Sequence, residues 1–139
     1  MSFLPEEDRE ELAAKGIPYT EKEEKLPDGT VRRGVLFPGF AFEGALFETK
    51  DNALVACAQC DLLILIPSGY AKTKLDSFYT RPYLKRQNGA FPDRANVTQK
   101  LFDTDWQFWS RHLSDDEWQK GDRDLVTYLY VVRDALRQA

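Results

Sequence analysis

The clearest periodicity lies near the C-terminal end, where Leu125, Tyr128, Leu129, Val132 and Leu136 recur at i, i+3, i+4, i+7 and i+11. That spacing predicts an amphipathic helix with one apolar stripe, preceded by Gly121-Asp122 as a stop and a cap. At the other end, Pro5 to Lys15 carries helix signals at both termini: a proline at the start, acids in the first turn and Lys15-Gly16 at the finish. Tyr19–Lys25 and Thr30–Phe37 flank Leu26-Pro27-Asp28-Gly29, a turn that predicts a β-hairpin whose first, polar strand lies at an edge. Val35 to Phe40 is apolar but broken by Pro38-Gly39, which predicts a loop or bulge feeding another strand. Ala53 to Ile66 holds the greasiest run, Leu62-Leu63-Ile64-Leu65-Ile66, with a hard stop at Pro67-Ser68-Gly69-Tyr70. Its shortness and its stop predict a central strand buried on both faces.

No period holds from Ala71 to Lys100, which is punctuated by Pro82, Asn88-Gly89 and Pro92. A long irregular segment packed by its aromatics is expected there, and such loops often carry function. The chemically densest stretch is Trp106-Gln107-Phe108-Trp109-Ser110-Arg111-His112, with two of the three tryptophans and the one histidine. Trp106, Trp109 and Leu113 at i, i+3 and i+7 predict a helical stripe plugging a core, with Arg111 and His112 at its edge. Helix, strands, irregular segment and helices in that order predict an α+β domain. Its antiparallel sheet has about four strands, with helices on one face.

Composition narrows the function. At 139 residues, 42% hydrophobic and 30% charged, the chain has the makeup of one soluble globular domain, residues 1–139. A net charge of −4 argues against nucleic acid as the partner, although Arg81, Lys85, Arg86 and Arg94 are close in sequence. No run reaches membrane-spanning length and the first residues are acidic, so a cytoplasmic protein without membrane contact is expected. Cys57 and Cys60 form a C-x-x-C with no second pair to complete a zinc site, so no metal or cofactor is implied. On a regular strand the two thiols fall on opposite faces, where they act as small buried hydrophobes.

Leu65-Ile66-Pro67-Ser68-Gly69-Tyr70, the long irregular crossing, Trp106-x-x-Trp109-Ser110-Arg111-His112, Trp118, Gly121 and the terminal helix together resemble the prokaryotic E2 family E. This is a bacterial branch of the E2 ubiquitin-conjugating (UBC) superfamily, and the resemblance spans about residues 17–137. Pro67 to Tyr70 is similar to the family's Pro-x-x-Tyr-Pro turn, with Ala71 in place of the second proline. The resemblance implies a UBC-like fold, an E1-like activating enzyme and a ubiquitin-like modifier as partners, and a JAB-type isopeptidase nearby. It also implies a cysteine nucleophile after that turn. Cys57 and Cys60 both precede it, which points to a pseudo-E2 without thioester chemistry. The alternative is a non-catalytic, RWD-like interaction module that binds the modifier or its E1.

Two candidate roles remain open for the polar pair. His112 is suited to proton transfer or to donating to an oxyanion, and Arg111 to clamping the carboxylate of a modifier tail. Both equally suit a helix C-terminus, where they satisfy backbone carbonyls. Tyr70, Tyr79, Tyr83 and Trp109 are the candidate partner-binding residues.

Overall fold

The computed structural model describes residues 3–67, 70, 75, 77–110 and 125–139. The N-terminal helix forms as expected: α1, Glu6–Ala14, begins after Pro5 and places Glu6, Glu7 and Asp8 in its first turn. It buries only Asp8 and Leu12. The hairpin follows, with β1 at Thr20–Lys25 and β2 at Val31–Lys50. Its turn is held by Asp28, whose Oδ1 accepts from the Thr30 N–H at 2.9 Å and from the Thr30 hydroxyl at 2.6 Å. Across the strands Glu24 meets Arg32 at 2.7 Å and Glu23 meets Arg33 at 3.3 Å.

Pro38-Gly39 does not end β2. The strand runs on through two register shifts, Phe37/Phe40 and Ala41/Leu46, so the bulge is internal to one 20-residue strand. A turn at Asp51-Asn52, both with positive φ, leads into β3, Ala53–Leu65. As predicted, Leu62, Leu63 and Ile64 are fully buried. Leu62 and Ile64 join the main core, and Leu63 a second cluster on the opposite face.

Beyond Pro67 the structure departs from the expectation in three respects. The segment read as irregular contains β4, Ser77–Arg81, and most of β5, Val97–Leu101. The stretch read as a helical plug is a strand, β6, Thr104–Ser110, at least as far as Ser110. Leu113 lies outside the described residues. The antiparallel sheet therefore has six strands, ordered β1-β2-β3-β4-β6-β5, where about four were expected.

The tryptophans show why the helix reading fails. Trp109 projects into the main core beside Ile64 and stacks on Phe78 at 5.4 Å, whereas Trp106 joins Leu63, Tyr79 and Leu101 on the other face. A strand covered on both faces loses the apolar-polar alternation that would have marked it. The C-terminal helix α2, Leu125–Gln138, buries each member of the predicted stripe. The buried hydrophobic residues of both helices fall in the main core and none in the second cluster, so the described helices share one face of the sheet.

Candidate functional site

The only two thiols of the chain lie on β3, and both are buried in the same core. This corrects the expectation of opposite faces. Between Cys57, opposite Leu46, and Gln59, opposite Ala41, one residue of β3 faces an irregular stretch of β2, and the bulge turns Cys60 back to the face of Cys57. The Cys57 thiol donates to the Gln59 carbonyl at 3.0 Å. Burial first, then the neighbouring Glu48 carboxylate, pushes Cys57 up to about 11. Burial, Cys57 and Asp61 push Cys60 higher still. A nucleophilic cysteine needs the reverse, an exposed thiol beside a positive charge or a helix N-terminus.

Cys60 and Asp61 reach the floor of a shallow cavity of about 350 Å³ with Gly39, Glu48, Gln59, Arg81 and Pro82. A larger cleft of about 520 Å³ shares Arg81 and Pro82 with it and adds Tyr83, Lys85, Thr49, Asp103, Thr104 and Asp105. Its lining carries two basic side chains, Arg81 and Lys85, and two acidic ones, Asp103 and Asp105. Arg81 lies 3.8 Å from Asp61 and over the Trp106 ring at 5.9 Å. The Lys85 ammonium donates to the Thr49 hydroxyl at 2.9 Å and lies 5.8 Å from the centre of the Phe91 ring. Tyr83 meets that ring edge-on at 6.4 Å. Lys85 is fixed by its backbone, which exchanges both hydrogen bonds with Phe47 of β2 at 2.7 and 2.8 Å.

Beneath the cleft, a polar clamp ties the segment after β4 to β6. The Gln107 side chain accepts from the Leu84 N–H at 2.6 Å and the Thr80 hydroxyl at 3.1 Å. It donates to the Leu84 and Ala95 carbonyls, both at 2.9 Å. The Thr80 hydroxyl in turn accepts from the Trp109 indole N–H at 2.8 Å. All of this is buried, so between the strand pairing of Arg81 with Asp61 and the backbone bridge of Lys85 to Phe47, the segment carrying Tyr83 is held at Leu84 by side-chain bonds.

A six-stranded antiparallel sheet with β1 to β4 in simple succession, its helices on one face, accompanies a match to the family model described as prokaryotic E2 family E, over residues 4–139. The chain belongs to this family. Among curated proteins and solved structures, none matches significantly.

The four predicted site residues of the family E chain that are described lie in different places. Arg111 and His112 lie outside the described residues. Tyr83 lines the large cleft, half-buried. Tyr79 is buried in the second cluster, its hydroxyl donating to Gln99 at 3.3 Å. Trp109 is fully buried and has no surface to offer a partner. Tyr70 lines a separate cavity of about 320 Å³ with Phe3, Pro5, Val31, Arg33, Ile66 and Pro67. The sequence reading missed the Thr49, Asp103 and Asp105 walls and the Gln107 clamp. Tyr83 and the basic residues Arg81 and Lys85 were the sequence signals that fall at the cleft.

Proposed function

We propose that this chain is a pseudo-E2: one E2-like domain, residues 1–139, serving a bacterial, cytoplasmic ubiquitin-like conjugation pathway without carrying the modifier as a thioester. One observation supports it above the rest. No cysteine occurs between Pro67 and the C-terminal helix, and the two earlier thiols are buried with their proton affinity raised. At pH 7 a thiol with a pKa near 11 is ionised in about one molecule in ten thousand, and the thiolate is the attacking species. In this reading the domain docks an E1-like enzyme or its ubiquitin-like modifier, with a JAB-type isopeptidase acting in the same pathway. Arg111 and His112, with Tyr83 in the cleft, are the residues proposed to meet the modifier. Among the described residues no helix is long and apolar enough to cross a membrane.

The test mixes the chain with its E1-like enzyme, ATP and modifier and resolves the products on a non-reducing gel. The expectation is no reductant-sensitive adduct, and slow labelling of both thiols at pH 7 that speeds as pH rises toward 11. An adduct lost in Cys57→Ser or Cys60→Ser would refute the pseudo-E2. The His112→Ala variant separates the two non-thioester readings. Loss of in-cell activity favours a chemical role for His112, and retained activity favours the RWD-like interaction module.

A further inference from the structure

β3 is paired unevenly. β2 lines one edge over its length, while β4 takes the other only at Asp61, Leu62 and Leu63. Among the described residues nothing pairs with that second edge from Ala53 to Gln59. The backbone there points outward by a simple parity. Phe47 gives its N–H and C=O to Lys85, away from β3, so Phe47 and Ala56 form a non-hydrogen-bonded pair. The ladder bonds to β2 in this region then come from Val55 and Cys57, and Leu54 and Ala56 turn their N–H and C=O groups to the open side.

Chains usually disarm such edges with charge, brevity or cover. β1, at one end of the sheet, is charged at every position from Glu21 to Lys25, and β5, at the other end, is five residues long with Lys100. Among the described residues the β3 edge has no such protection. Ala53 to Cys60 holds no charged residue, Leu54 and Val55 are 40% and 41% exposed, and the alanines at 53, 56 and 58 are exposed and too small to hold a strand away.

We propose that this edge binds a second copy of the same chain, strand to strand and antiparallel, about a two-fold axis near Ala56. The segment is complementary to itself. Leu54 of one copy falls opposite Ala58 of the other and Val55 opposite Cys57, so bulk meets small side chains and every opposed pair from Ala53 to Gln59 is uncharged. Leu54 and Ala56 have the right parity to exchange hydrogen bonds across the axis. A charged foreign strand finds no counter-charge along these residues.

Sedimentation velocity on the full chain, from micromolar to submillimolar concentration, tests this. The wild type should rise to twice the 16.0 kDa mass of one chain. Leu54→Lys should raise the concentration needed by at least about tenfold, because each dimer gains two edge charges. Ala56→Pro removes the outward N–H and should abolish the dimer. Val97→Lys, on β5, should leave it intact. If Ala56→Pro does not fold, Leu54→Lys decides. A wild type of single-chain mass throughout, a dimer indifferent to Leu54→Lys, or one equally weakened by Val97→Lys would overturn the proposal. So would a monomeric chain that takes up a strand peptide of different sequence along Ala53–Gln59.

Discussion

At the scale of single residues, Gln107 does the work of a strand. Its amide meets both backbone groups of Leu84, the Ala95 carbonyl and the Thr80 hydroxyl, using both of its donors and two acceptor sites inside the protein. Replacing it by Leu would strand three buried backbone groups at about 1–3 kcal/mol apiece, partly relieved by local movement. Gln107→Leu is therefore expected to cost about 3–5 kcal/mol in urea denaturation. Gln107→Glu should cost no less, because a carboxylate would face two carbonyls it cannot bond. None of this was legible beforehand, since a glutamine between two aromatics carries no sign of which backbone it will meet. Cys57 and Cys60 were misread for a related reason. Their three-residue spacing implies opposite faces only on a regular strand, and the bulge that reunites them depends on how β2 and β3 fall out of step.

At the scale of elements, the two helices communicate through one carboxylate. Asp8 of α1 is 2% exposed, and its Oδ1 accepts from the Leu125 N–H at 3.3 Å, at the start of α2 and 117 residues away in sequence. A negative charge at a helix N-terminus is favourable, and a side-chain acceptor satisfies an otherwise orphaned donor. Asp8→Ala should destabilise the chain by about 1–2 kcal/mol in thermal or urea unfolding, and Asp8→Asn, which keeps an acceptor, by less. Amide exchange at Leu125 should quicken in both variants. The elements legible in sequence were those covered on one side or framed by turn chemistry, α1, the β1–β2 hairpin and α2, together with β3, whose short apolar run has a hard stop at Pro67. β6 was not, because Trp106 and Trp109 serve different cores and their spacing imitates a helical stripe. Gly44 was equally silent. A β-carbon there would lie 2.6 Å from the Leu136 carbonyl, so glycine admits the close approach of α2 to β2.

At the scale of the whole molecule, the sheet divides aromatic residues that look interchangeable in sequence into those that hold the fold and those that can meet a partner. Trp109 is fully buried in the main core and stacked on Phe78 of β4, so Trp109→Ala should cost about 3–5 kcal/mol and lower every activity together with the melting temperature. Tyr83 is half-buried at the cleft, where its main aromatic contact is the edge of Phe91. Tyr83→Ala should therefore cost less than about 1.5 kcal/mol, roughly what one aromatic pair contributes beyond area burial. If the cleft is where a modifier or its E1 docks, the same change should weaken that binding at least about tenfold, the scale at which an interface aromatic counts as an energetic anchor. Isothermal titration alongside thermal melts separates the two effects. A Tyr83→Ala chain that melts like the wild type and binds like it would remove the cleft from the docking surface and leave Arg111, His112 and Tyr70 as candidates.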